Sequence, residues 1–158
     1  MVICYISFGS NRGDRSRNIA KVLSLINNNF TVVDISSFYD CEPVYNNQTN
    51  NFLNGVVKVE TDLSAKETFE TVKKIEYQGG RINFERDDNK IIDLDLLYYG
   101  DKTIEQPPVI IPHFVAHQRK YILTSMNEID SEFLHPVTKK TQQQMLNELE
   151  SNKKVTKL

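Results

Sequence analysis

Asp93 and Asp95 stand two apart in Ile91-Ile92-Asp93-Leu94-Asp95-Leu96-Leu97, the strongest chemical signal in the chain. In a strand, side chains alternate, so the two carboxylates share one side while Ile92, Leu94 and Leu96 share the other. Aspartate is depleted in strands, and two like charges ~7 Å apart on one face repel. A hard divalent cation offsets that cost, and Mg²⁺ held by one or two carboxylates plus substrate phosphates is the usual arrangement. The plainer reading of the same residues is the solvated outer face of an edge strand.

Immediately upstream, residues 81–90 form a polar loop with the cations Arg81, Arg86 and Lys90. Cations beside paired carboxylates suit a metal-bound polyphosphate, whose charge they neutralise. Alone, the loop also reads as a solvated hairpin; its place next to the aspartates favours phosphate. A third cluster, Pro112-His113-Phe114 to Arg119-Lys120-Tyr121, interleaves cations with aromatics. His113 and His117 are four apart, but no further His, Cys or carboxylate nearby completes a zinc-site spacing. Glu76 falls on the apolar side of its helix near the C-terminal end, where the dipole disfavours an anion. It either has a cationic or substrate partner or reaches water at the helix end. Phe52 and Asn54 share one side of a strand, which suits stacking on and hydrogen bonding to a flat heterocycle. They equally suit core packing beside a turn residue.

The elements that position these groups follow from periodicity and punctuation. Residues 2–8 are a short apolar strand ending in the turn cluster Gly9-Ser10-Asn11. Asp14 caps a helix with Ile19, Val22, Leu23 and Ile26 at helical spacing, stopped by Asn27-Asn28-Asn29. Residues 31–38 are β-rich, residues 40–51 read as a long polar loop, and residues 52–60 are strand again. Ser64 and Glu67 have the capping-box spacing. The helix they open buries Phe69, Val72 and Ile75 and stops at Gly79-Gly80. Residues 91–99 form the next strand. Strand, helix, strand, strand, helix, strand predicts an α+β fold with a ferredoxin-like βαββαβ core and an antiparallel sheet. The C-terminal extension adds a short strand around 109–111, two helical pieces and a tail, 151–158, expected to fray.

Bulk composition agrees with one soluble domain over 1–158, with 39% apolar residues, 25% charged and a net charge of −2. That charge marks neither a nucleic-acid nor a membrane binder. The start lacks a basic n-region, and no apolar run approaches the ~20 residues of a membrane span, so the chain reads as cytoplasmic. Cys4 and Cys41 fit no metal spacing and read as two buried thiols.

In order along the chain, several segments resemble those of the 6-hydroxymethyl-7,8-dihydropterin pyrophosphokinases. They are Gly9-Ser10-Asn11, Ser37-Phe38-Tyr39 with Pro43, Phe52-Leu53-Asn54, Glu76 with Gly80-Arg81, and Glu85-Arg86. Asp93-Leu94-Asp95-Leu96-Leu97-Tyr98-Tyr99-Gly100, Pro112-His113 and Arg119 two before an aromatic complete the set. The likeness runs from residue 2 to about 130. It implies transfer of the β,γ-pyrophosphoryl group of ATP to the pterin hydroxymethyl oxygen, releasing AMP, in folate synthesis. It further implies that Asp93 and Asp95 hold two Mg²⁺ ions, with Arg81, Lys90 and Asp95 in catalysis. Cys41, Val44, Phe52, Asn54, Asp93 and Tyr121 would meet the pterin, with Phe52 and Tyr121 sandwiching its ring. Lys73, Glu76, Arg86, Leu96, His113, Phe114 and Arg119 would meet ATP. Besides these two substrates no nucleic acid or membrane is expected, and the chain reads as a monomer.

The family loop pattern Arg-x-Arg-x-Glu-Arg-Trp-Gly-Pro-Arg is altered here. Asn83 stands at the second Arg, Asp87-Asp88-Asn89 at Trp-Gly-Pro, and Lys90 at the last Arg. Cys41 replaces a threonine, and Tyr45 a common glycine. Lys cannot reproduce a bidentate Arg contact, so the expectation is an active enzyme with weaker nucleotide closure. The competing expectations are a homologue that binds pterin without transfer and, from the fold alone, a ferredoxin-like nucleic-acid module.

Overall fold

The computed structural model describes residues 1–44, 50–80 and 91–158. Strand β1 (Val2–Ser10) leads into helix α1 (Arg15–Asn29). The Asp14 side chain accepts from the Arg17 N–H, one of the donors a helix start leaves free, and Phe30 turns extended to end the helix. Strands β2 (Thr31–Ile35) and β3 (Tyr39–Cys41) precede the long strand β4 (Phe52–Thr61). Helix α2 (Ala65–Gln78) opens with the expected capping box, Ser64 and Glu67 satisfying each other's backbone donors. Strand β5 (Asp93–Tyr99) and the hairpin β6 (Ile104–Gln106) and β7 (Val109–Ile111) follow. Helices α3 (Lys120–Asp130) and α4 (Gln142–Glu148) and strand β8 (Val155–Lys157) complete the described elements. No helix among the described residues is long and apolar enough to cross a membrane.

The main sheet has the order β5-β1-β4-β3-β8, with β2 also paired to β4, and every pairing is antiparallel. This is the ferredoxin-like order, with β1 central between the strand before and the strand after α2. One sheet face packs on α1 and α2. Cys4, Ile6 and Phe8 of β1 meet Ile19, Val22 and Ile26 of α1, Val72 and Ile75 of α2, and Leu94 and Leu96 of β5. The other face is covered at one end by α3, where Tyr5, Val56, Leu97 and Tyr98 pack on Ile122 and Met126. The β1–β5 register slips between Tyr5 and Ile6, so that Ile6 faces Leu96 and Tyr5 faces Tyr98. Leu97 is the extra residue of this bulge. It lets Leu97 and Tyr98 both turn to the α3 side while Asp93 and Asp95 keep strict alternation.

Three expectations need correction. The strand expected over 31–38 breaks at Ser36, whose backbone and hydroxyl both bond Val56 of β4, giving two shorter strands, β2 and β3. The loop expected from residue 40 begins later, because Tyr39–Cys41 pairs with β4 on one side and β8 on the other. Tertiary pairing here overrides the low strand propensity of Asp40. For the same reason the tail is not frayed: Val155–Lys157 pairs with β3, and Lys157 lies 3.1 Å from Glu128.

Candidate functional site

The register places the candidate residues in rows across one sheet face, because directly paired residues of antiparallel strands share a face. Cys41 faces Phe52; Tyr39, Asn54, Gly9 and Asp93 form the next row; Val56, Ser7 and Asp95 form the third. Two carboxylates, a carboxamide and an aromatic ring therefore share one surface, on the face opposite α1 and α2. Gly9 is what lets them converge. A Cβ at this position would stand 2.2 Å from Asn54 Oδ1 and 3.4 Å from the Phe52 ring. Asn54 is buried, and it bonds the Cys41 side chain. Burial pushes the Cys41 thiol up to about 11, against the lowering effect of Asn54, so Cys41 is a neutral thiol here and not a nucleophile. Both cysteines are free and buried.

Among the described strands β5 is an edge of the sheet, and α2 closes that edge. Glu76 Oε2 accepts from the Leu94 N–H at 2.6 Å, and Lys73 Nζ donates to the Leu94 carbonyl at 2.7 Å. The outward backbone pair of one edge residue is thus satisfied by two side chains one helical turn apart, which also pins the strand between the two aspartates. Lys73 Nζ lies 3.3 Å from Asp95 Oδ1 and 3.7 Å from Glu76 Oε1, and His113 Nε2 lies 3.6 Å from Asp95 Oδ1. Burial acts to raise the Asp95 pKa, but the contact with His113 and the charge of Lys73 outweigh it, holding the carboxyl well below the usual range. Lys73 moves the other way. Burial lowers it, yet Asp95, Glu76 and Asp93 together raise it. Both partners are therefore charged at neutral pH.

Glu76, expected to have a partner or to reach water, is fully buried and partnered. Glu76→Ala strands the Leu94 N–H and leaves Lys73 one anion short. The expected loss is about 2 kcal/mol in urea unfolding, the cost of an unsatisfied buried donor. Glu76→Gln, which keeps the acceptor, is expected to lose less than half of that. An Ala variant as stable as the parent would show that Leu94 is held by something else.

The helix-start side of the site is built from α3. Tyr121, in its first turn, is close enough to Asp93 and Asp95 that both raise its hydroxyl pKa on top of burial, so it stays protonated. Arg119 is the N-cap residue of α3. Phe114 is exposed and stacks on His113 with ring centres 4.8 Å apart. A cavity of about 460 Å³ lies beside these groups, lined by Cys41, Val44, Arg119 and Tyr121 together with residues 150–153 and Val155 of the tail.

Among the described residues, the structure brings together Cys41, Phe52, Asn54, Lys73, Glu76, Asp93, Asp95, His113 and Tyr121, with Val44 and Arg119 at the cavity. Leu96 is the exception. It is 3% exposed and points into the core under α1 and α2, away from the carboxylate face. Strand alternation, which places Asp93 and Asp95 on one side, requires this. Arg81, Arg86 and Lys90 lie outside the described residues. The tail's place beside the cavity was not legible in its sequence, whose polar, lysine-rich composition carries no strand signal beyond Val155-Thr156.

The carboxylate pair fits a hard cation. Among the described residues no three potential ligands cluster, and Mg²⁺ asks for no more than one or two carboxylates when phosphate and water supply the rest. Asp95 is held ionised, as a ligand must be.

A family model described as 7,8-dihydro-6-hydroxymethylpterin-pyrophosphokinase (HPPK) matches residues 5–131. The Haemophilus influenzae 2-amino-4-hydroxy-6-hydroxymethyldihydropteridine pyrophosphokinase is 31% identical over 86% of this chain and 86% of its own length. The Bacillus subtilis protein of the same name is 33% identical over 80% of this chain and 77% of its own. The folic acid synthesis protein fol1 of Schizosaccharomyces pombe is 34% identical over 94% of the chain. The chain spans about a fifth of the length of that protein and of its Dictyostelium discoideum counterpart, 21% and 20%. Among solved structures, an HPPK-DHPS in complex with substrates superposes over 92% of this chain and 43% of its own, with TM-score 0.75 and 15% identity. At that identity the likeness speaks for the fold.

Proposed function

The chain belongs to the 7,8-dihydro-6-hydroxymethylpterin-pyrophosphokinase family, and from that premise we propose that it transfers pyrophosphate from ATP to the hydroxymethyl group of 6-hydroxymethyl-7,8-dihydropterin. The hydroxymethyl oxygen bonds to the β-phosphorus as the bond from that phosphorus to the oxygen of the α-phosphate breaks. AMP leaves with that oxygen, and the hydroxyl proton passes to solvent. The observation that carries the reading is the shared face: Asp93 and Asp95 stand in register with Gly9 and Ser7, and Asn54 faces Gly9 from the other side.

Each group then has a task set by its chemistry. Phe52 and Tyr121 offer flat surfaces for the pterin ring, and Asn54 offers a donor and an acceptor for its edge. Asp93 and Asp95 would hold Mg²⁺, which when bound neutralises charge on the polyphosphate. Lys73 keeps Asp95 ionised and oriented, and Glu76 fixes the backbone between the carboxylates. His113, Phe114 and Arg119 border the side where ATP would lie. The protein supplies little covalent chemistry in such a transfer; alignment and electrostatics carry the rate.

The test is AMP release from ATP and Mg²⁺ with and without 6-hydroxymethyl-7,8-dihydropterin. Release that depends on the pterin is expected. Pterin binding without AMP would make the chain a silent relative, and neither binding nor release would remove the reading altogether.

A further inference from the structure

The cavity beside Tyr121 has a wall that comes from outside the region matching the family model, which ends at residue 131. Residues 150–153 and Val155 face Cys41, Val44, Arg119 and Tyr121 across it. Three of them belong to the proposed pterin site and Arg119 borders its ATP side: Cys41 ends β3 and Val44 follows it, while Arg119 and Tyr121 open α3. The tail is bonded to both sides. Val155 pairs with Cys41, the Glu42 N–H donates to the Lys154 carbonyl at 3.1 Å, and the Leu158 N–H donates to the Phe38 carbonyl at 3.0 Å. From the other side, Lys120 Nζ donates to the Lys153 carbonyl at 3.2 Å. Lys157 lies 3.1 Å from Glu128 of α3, which in turn accepts from the Ser37 hydroxyl at 2.6 Å.

We propose that residues 150–157 are a positioning element for the pterin half of the site, closing the gap between its two sides and clasping β3 to the start of α3. The proposal rests on the pyrophosphokinase reading. Without the tail, β3 is a three-residue edge strand, and the segment from Glu42 to Val44 loses the backbone bond that ties Glu42 to Lys154. Such a short edge holds geometry poorly by itself. A ring that must slide between Phe52 and Tyr121 gains affinity when the walls are fixed in advance, because less ordering remains to be done on binding. The cavity, at about 460 Å³, is of the size that takes a small planar molecule. The carboxylates and Lys73 lie on β5 and α2, at the far side of the sheet order from β8, so the clasp bears on the pterin more than on the polyphosphate.

The test compares the full chain with two substitutions and a truncation. Thr156 is exposed and faces Asp40. The flanking bonds to Lys154 and Phe38 make this the pair that exchanges both N–H groups. Thr156→Pro removes the donor while leaving the cavity side chains alone, and Thr156→Val keeps it. For Thr156→Pro the expected result is a pterin KM and Kd raised roughly tenfold or more. The ATP KM should stay within about twofold and kcat at saturating pterin within about threefold; Thr156→Val should match the parent. The chain truncated after Leu149 should repeat the split seen in Thr156→Pro. An unchanged pterin Kd in both the Pro variant and the truncation would overturn the proposal. So would pterin and ATP affinities falling together, which is the mark of general destabilisation. Failure of the parent to bind pterin would instead remove the underlying reading, and the clasp with it.

Discussion

Asp95→Asn is expected to slow pterin-dependent AMP release by about a thousandfold, a loss of about 4 kcal/mol of transition-state stabilisation. The substitution keeps shape and an acceptor oxygen, so Lys73 at 3.3 Å and His113 at 3.6 Å retain a dipole to face. What it removes is the charge. That charge is maintained against burial by those same two neighbours, which keeps an anion ready on the face that Asp93 shares. Folding stability should fall by about 1–3 kcal/mol, the worth of a charge-assisted hydrogen bond, with Lys73 still facing Glu76 at 3.7 Å and the fold kept. The parent should show a rise in Tm on adding Mg²⁺ with a non-hydrolysable ATP analogue. Binding to the folded state alone is worth about 2.7 kcal/mol at a hundredfold excess over Kd. In Asp95→Asn that rise should vanish. A variant that kept the shift and more than about a tenth of the rate would place the ion on other ligands.

The Asp93/Asp95 pair was legible in the sequence because strand alternation is a strict rule and two like charges on one face need a reason. The same rule turns the Leu96 side chain into the core, since it alternates with Asp95, so any contact with ATP there falls to its backbone. Glu76 was legible as an anomaly, a carboxylate on an apolar helix face. Its partner was not, because the Leu94 N–H becomes available only once β5 is known to be an edge. Capping was read residue by residue from local chemistry: Asp14, Ser64 and Glu67 all bond as their types and spacing require.

Non-local pairing was the part that local pattern could not supply. Asp40 reads as loop because aspartate disfavours strands, yet its backbone lies between β4 and β8. The tail has too few β-formers to announce a strand and needs β3 as a template. The bulge at Leu97 has no signature in the run Leu96-Leu97-Tyr98, although it turns Tyr98 beside Leu97 onto the α3 side. Each of these depends on contacts between residues far apart in the chain, where propensity is weakest as a guide.

Gly9→Ala is expected to raise the pterin Kd by about a hundredfold or more while costing little stability. Gly9 does not adopt a left-handed conformation; its role is space. An alanine Cβ would sit 2.2 Å from Asn54 Oδ1, well inside contact distance, while the Phe52 ring at 3.4 Å is merely touched. The atom in the way is the end of a side chain, so the fold can yield by rotating Asn54, and the backbone pairing of Gly9 with Asn54 and Asp93 is untouched. Rotation, however, takes the carboxamide away from the row it shares with Asp93 and breaks its contact with Cys41. A site built to hydrogen-bond a heterocycle edge loses heavily when its polar group is misdirected, because the ligand's own donors are then left unpaired. ATP and Mg²⁺ affinity, which depend on β5 and α2, should stay within about threefold, and Asn54→Ala should show the same selective loss. Equal loss of both substrates would mean that Gly9 serves the whole sheet, and unchanged pterin binding would mean that Asn54 does not read the pterin edge.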